Sequence, residues 1–236
     1  MPIIFKTNFC KINKTGNLYE FIFDDGENYS HFLEKIKKKF EIKKEKKHKS
    51  FTIEAKKVET LNDLLKRKEA LSYRHLKQLF TNIGKQLEGL EEDGYCNLFF
   101  NTSNIVRVEL DTFTQKGGSG GDIFFLYLDS SAFSPIKDKF TKILKPFDKN
   151  YKFISPELKS VKSFPIDINI SSQFYSLALL VCYCGEWHKK NKSMKKIKLT
   201  LDTFREYLSN IDNTKLYWAL LRCLEDNPND RVYLYI

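Results

Sequence analysis

Residues 171–184, SSQFYSLALLVCYC, carry apolar side chains almost all the way round a helical wheel. A helix that is apolar on every face has no side to give to water, so other elements must enclose it. The chain has 236 residues, of which 42% are hydrophobic and 14% aromatic. That length suits one domain of two lobes, or two small domains, built around such a central helix. There is no long apolar run and no signal peptide in the sequence. This predicts a soluble, intracellular protein, cytoplasmic or nuclear, with no membrane span.

The remaining elements follow from periodicity. Ile3, Phe5, Phe9, Ile12, Leu18, Phe21 and Phe23 sit in an alternating pattern broken by a Lys14–Asn17 turn, which predicts a β-hairpin. Phe32, Leu33, Ile36 and Phe40 recur at helical spacing within 28–40. A strand is expected over 50–57 and a short helix over 59–68. Ser72 is placed to cap a long helix carrying Leu76, Leu79, Phe80, Ile83, Leu87 and Leu90 at spacings of three, four and seven. Strands over 104–110 and 123–128 should form a hairpin. Residues 130–170 show little periodicity and contain Pro135, Pro146, Pro156 and Pro165, which reads as a long ordered loop. Two helices over 200–210 and 213–225 complete the chain. The mixture is α+β.

Gly117-Gly118-Ser119-Gly120-Gly121 holds four of the chain's ten glycines. It has the composition of a designed flexible linker standing in for a longer loop. No Lys-Ser/Thr follows it, so it is not a phosphate-cradling loop.

The formal net charge is +10, which favours anionic partners without choosing among nucleic acid, acidic protein and membrane surface. Residues 35–49 hold nine lysines, among them Lys37, Lys38, Lys39, Lys43, Lys44, Lys46 and Lys47. They read either as an anion-docking surface or as a solvated helix end and loop. The five cysteines contain no CxxC pair, and the four histidines share no metal-like spacing. Neither a disulfide framework nor a zinc site is expected.

The order strand, short helix, long helix, hairpin, long loop, buried helix and terminal helices resembles a protein kinase from its hinge to its C-terminus. FTIEAKKVETLNDLLKRKEALS (51–72) resembles the hinge strand and following helix. Residues 76–106 resemble the long helix leading into the catalytic loop. Ser155-Pro156-Glu157 stands where Ala-Pro-Glu would end an activation segment. QFYSLALLV (173–181) is similar to the D-V-Y-S-L-G helix, and CLEDNPNDR (223–231) to the C-L-x-x-D-P-x-x-R ending. The resemblance implies a bilobal protein kinase-like fold. Residues 1–55 would form a small, reduced, β-rich N-lobe, and residues 56–236 a mainly helical C-lobe.

The same resemblance implies that the chemistry is gone. Phosphoryl transfer needs an Asp for the attacking hydroxyl, an Asn and an Asp for magnesium, a Lys on the phosphates and a glycine-rich lid. With Asn104 as the motif's Asn, the His-Arg-Asp positions fall on Asn97, Leu98 and Phe99. A phenylalanine accepts no proton. Asn104 then reads either as a remnant magnesium ligand or as a turn residue. Asp129 stands at the Asp-Phe-Gly position, followed by Ser130 and Ser131; it reads either as a metal remnant or as a strand-end residue. No G-x-G-x-x-G and no V-A-I-K strand occurs, and Glu34 has no lysine to pair with. In the family, the Glu at position 157 pairs with the Arg at position 231, a structural role. Gln173 replaces an Asp that anchors the catalytic loop. The expected function is therefore a catalytically inactive pseudokinase. It would be a scaffold, decoy or regulator binding a kinase, a kinase substrate or another regulatory protein, and would need no cofactor. Two alternatives remain: an atypical nucleotide-dependent transferase using Asn104 and Asp129, and a basic nucleic-acid-associated binder.

Overall fold

The first strands arise where β-forming residues alternate with polar ones. The computed structural model describes residues 2–24, 43–45, 48–67, 70–110, 123–149, 151–185 and 201–236. The expected 28–40 helix with Glu34, Lys37, Lys38, Lys39, Lys46 and Lys47, the Gly117–Gly121 stretch and the lysines of 189–198 lie outside the described residues. The amino-terminal pattern builds three strands: β1 (Ile3–Lys6), β2 (Cys10–Thr15) and β3 (Leu18–Asp24). The expected hairpin is β2–β3, turning at Gly16 with φ +59°. An additional strand precedes it because Thr7 makes its own turn: its hydroxyl accepts from Phe9 N and Cys10 N.

Lys43 and Lys44 fall in β4 (Lys43–Glu45), which pairs with the long strand β5 (His48–Thr60). β5 bonds to β3 along its first half and to β7 (Ile105–Leu110) along its second. Its pairing passes from β3 to β7 around residues 54–57, where the register with β7 shifts between Ala55 and Lys57. With β8 (Ile123–Tyr127) the antiparallel order is β1-β2-β3-β5-β7-β8. The sheet curls: the Thr7 hydroxyl donates to Leu128 O at 2.5 Å, just beyond β8.

Six helices are described. Thr60 caps α1 (Leu61–Lys66) and Ser72 caps α2 (Tyr73–Glu92). Helix α3 (Pro156–Ser160) is short, α4 (Ser172–Cys184) is the all-round apolar helix, and α5 (Leu201–Tyr207) and α6 (Lys215–Cys223) follow. None of the described helices is long and apolar enough to cross a membrane.

The hairpin β7–β8 is a wall between two cores. Ile105, Phe125 and Tyr127 pack with the helices, while Val106, Val108, Phe124 and Leu126 pack with Phe5, Phe21, Phe23 and Phe51 of the amino-terminal strands. Burial on both faces explains why β8, IFFLY, reads as a continuous apolar run, whereas β7 keeps Arg107 and Glu109 half-buried. The outward edge of β8 is covered by α2. Asn82 Oδ1 accepts from Phe125 N at 2.9 Å. Gln86 accepts from Tyr127 N at 2.9 Å and donates to Phe125 O at 3.1 Å.

The 130–170 region corrects the expectation of a loop. It contains β9 (Phe133–Lys137), β10 (Phe140–Ile143) and β11 (Ile166–Asn169), in a second antiparallel sheet ordered β11-β10-β9-β6, where β6 is Tyr95–Asn97. The strands are short, and only one face is buried, around Ile154, Leu158 and Ile168. Pro135 sits opposite Tyr95 within β9.

Candidate functional site

The motif positions lie where α2 hands over to β6. Gly94, with φ +80°, turns the chain out of the helix. Asn97 and Leu98 are fully buried, and helix α4 holds their backbone. Asn97 N donates to Gln173 Oε1 at 3.2 Å, and Ser176 Oγ donates to Leu98 O at 3.1 Å. Residues three apart on one helix face thus grip the peptide groups on either side of the Asn97–Leu98 bond. Gln173, though uncharged, thus anchors the backbone at Asn97. Its amide nitrogen also donates to Glu91 at the end of α2. Burial and the neighbouring Glu88 push the Glu91 carboxyl above its usual range, and the Gln173 bond only partly offsets this.

Phe99 N donates to Asn97 Oδ1 at 3.2 Å. Its ring meets Phe147 and Tyr151, each at a centroid distance of 5.2 Å, and Phe147 in turn meets Phe164 edge-on at 6.0 Å. Contacts of this kind contribute about 0.5–1.5 kcal/mol beyond area burial. Phe99 thus joins an aromatic cluster with Phe147, Tyr151 and Phe164.

Asn104 and Asp129, 25 positions apart in sequence, come together. Asn104 Nδ2 donates to Asp129 Oδ2, while Asp129 also accepts from Ser131 N at 3.0 Å and Ser131 Oγ at 2.7 Å. Both oxygens of this buried carboxylate are thus occupied by donors of the chain itself. Asn104 O also accepts from Leu128 N at 2.8 Å, so the pair ties β8 to the short 3-10 turn Thr102–Asn104. The Tyr127 hydroxyl lies among Asn97, Asn104 and Asp129. Burial first, then the Asp129 charge, raises its pKa well above the phenol range.

Glu157 and Arg231 form a two-pronged pair, with Nη1 to Oε1 at 2.5 Å and Nη2 to Oε2 at 2.9 Å. Arg231 also donates to Glu225 O at 2.7 Å and Asp226 O at 3.0 Å, and its guanidinium lies 4.7 Å from the Tyr175 ring centroid. Ser172 Oγ donates to Glu157 as well. Burial pushes the Glu157 carboxyl up, but Arg231 and Ser172 outweigh it and hold the group below its usual range.

Among the described residues, no group of three or more His, Cys, Asp or Glu is placed to hold a metal ion. The thiols of Cys182 and Cys223 are pushed up to about 12 by burial, so they stay protonated. Sequence reasoning missed Ser172, Ser176, Phe147 and Tyr151. The serines carried a usable signal, because a polar residue on a helix enclosed on all sides must find a partner.

No protein-family model matches the chain, and no curated protein is significantly similar to it.

Proposed function

We propose that this chain is a binding protein on a degenerate, bilobal protein kinase-like scaffold, with a reduced β-rich N-lobe (1–55) and a helical C-lobe (56–236), and that it performs no phosphotransfer. The observation that carries this reading is Phe99. It occupies the position of the catalytic Asp and is packed against Phe147 and Tyr151. No nearby rearrangement of a ring turns that position into a general base.

Three further features support it. The Glu157–Arg231 pair and the grip of α4 on residues 97 and 98 are architectural devices independent of turnover. The carboxylate of Asp129 spends its oxygens on Asn104 and Ser131. The space between the amino-terminal strands and β7–β8, where a kinase would hold nucleotide, is continuous core built from Phe21, Phe51, Val108 and Leu126. A kinase, a kinase substrate or another regulatory protein is the partner this scaffold suits.

The test is thermal stability at rising ATP and magnesium concentrations. A ligand that binds the folded state must raise the melting temperature by mass action. No shift at millimolar nucleotide is expected. A saturable, magnesium-dependent shift that disappears in Asp129→Ala would overturn the proposal in favour of a nucleotide-dependent transferase.

A further inference from the structure

Residues 137–162 hold eight lysines against three acidic residues; Glu157 is engaged by Arg231, Lys149 donates to Val161 O and Lys152 lies over the Tyr183 ring, while Lys137, Lys139, Lys142 and Lys145 are exposed. The same stretch exposes three large apolar side chains: Phe140 at 46%, Leu144 at 66% and Tyr151 at 42%. The register of the small sheet puts the first two outside. On β10 the buried residue is Thr141, whose hydroxyl donates to Pro135 O at 2.8 Å. Phe140 and Lys142 therefore point to the opposite face, where Lys137 stands across from Phe140 and Asp167 across from Lys142. Leu144 follows two residues on. Tyr151 stands apart from them, leaning on Phe99, which packs with the buried side of the small sheet.

Apolar surface rimmed by cations is the composition of a docking face rather than of ordinary solvated surface. Lys142 is available to it. Its contact with Asp167 spans 3.9 Å between side chains that are both more than half exposed, 58% and 60%, so it contributes little and exchanges readily for an incoming carboxylate. Net positive charge favours an anionic partner. One detail favours protein over nucleic acid: Leu144, the most exposed apolar side chain of the face, is aliphatic and, unlike Phe140, offers a base no stacking platform.

We infer that the face formed by Phe140, Lys142 and Leu144 docks an acidic segment of a partner protein that presents a large apolar side chain between its carboxylates. This deepens the binding reading above and rests on it.

The test is selection from a random dodecapeptide library displayed on phage, with depletion on a Phe140→Glu/Leu144→Glu double variant. Enriched sequences should place Asp or Glu around Leu, Ile or Phe. The best of them, fluorescein-labelled and followed by anisotropy, should lose about tenfold in affinity on Leu144→Glu and about threefold on Lys142→Glu. Far-UV circular dichroism should stay unchanged, because these side chains are exposed. The inference is overturned if no sequence discriminates the native chain from the double variant, or if the enriched peptides are basic or uncharged. It is also overturned if a single-stranded oligouridylate binds more tightly than the best peptide, or if sedimentation shows a dimer that Leu144→Glu dissociates, since a second copy then covers the face. The outcomes separate from those of the broader proposal. A magnesium-dependent nucleotide shift sinks that reading whatever the peptides do, whereas failed selection without a nucleotide shift sinks only the docking face.

Discussion

Removing Glu157 should be among the most damaging single changes that leave the packed core untouched. Arg231 has a side chain with no exposed surface, and Glu157 retains 20%. Truncating one member of a buried ion pair costs about 3–5 kcal/mol, because the other charge is left without its partner. Water can reach the Glu157 side, so Glu157→Ala belongs at the lower end, about 3 kcal/mol. With a urea slope of about 2.5 kcal/mol per molar, the unfolding midpoint should fall by about 1.2 M. Arg231→Met should cost a similar amount, since it abandons Glu157 to the Ser172 hydroxyl and frees the carbonyls of Glu225 and Asp226. The double variant Glu157→Leu/Arg231→Met should cost much less than the two singles together, giving a coupling energy of about 2–3 kcal/mol. The assay is equilibrium urea unfolding followed by circular dichroism. If the singles add within about 0.5 kcal/mol, or Glu157→Ala moves the midpoint by less than about 0.3 M, the pair does not pin α3 to the rest of the chain.

Gly84→Ala should destabilise by about 1–3 kcal/mol despite alanine's better helix propensity, because its Cβ would overlap the Tyr233 ring, itself held between Phe80 and Phe174; a raised melting temperature would contradict the packing of the C-terminal segment on α2. Phe99→Asp should lower stability by about 2–4 kcal/mol by placing a carboxylate among rings and should yield no ATP turnover in a radiometric assay; measurable turnover would mean that the base is the only missing part. Gln173→Asp should destabilise more at pH 8 than at pH 5, because the new carboxylate would face Glu91; equal melting losses at both pH values would refute that contact. Burial, together with Arg107 and Arg74, holds the His75 imidazole below its ordinary value of 6.5. The folded state favours the neutral ring, so this contribution is complete above about pH 6.5 and is lost on acidification. The melting temperature should fall from pH 7 to pH 5, and His75→Gln should flatten that slope.

What the sequence made legible was set by the strength of its periodicity. The buried helix α4 and the capped helix α2 stand out because their apolar residues recur over many positions. The β9–β11 sheet did not, because its strands are four or five residues long and one face is given to lysines, Phe140 and solvent. Pro135 inside β9 read as a loop residue, and only the pairing to Tyr95 shows otherwise. At the site, motif spacing picked out Asn97, Phe99, Asn104, Asp129, Glu157 and Arg231. What each does with its polar atoms was decided by groups distant in sequence. Asp129 is occupied by Asn104 and Ser131, and Gln173 takes over a backbone anchor without a charge. No one-dimensional pattern displays such donor and acceptor matching.

The cover that α2 lays over the edge of β8 reaches beyond local satisfaction of hydrogen bonds. The alignment of β7 with β8 is fixed three times over: by alternation between two cores, by Asn82 at Phe125, and by Gln86 at Phe125 and Tyr127. Slipping by one residue would turn both cores inside out and strand both amides. The groups that hold this arrangement all lie on the strands and on α2, so a change confined to the sequence between the two strands should leave their register intact.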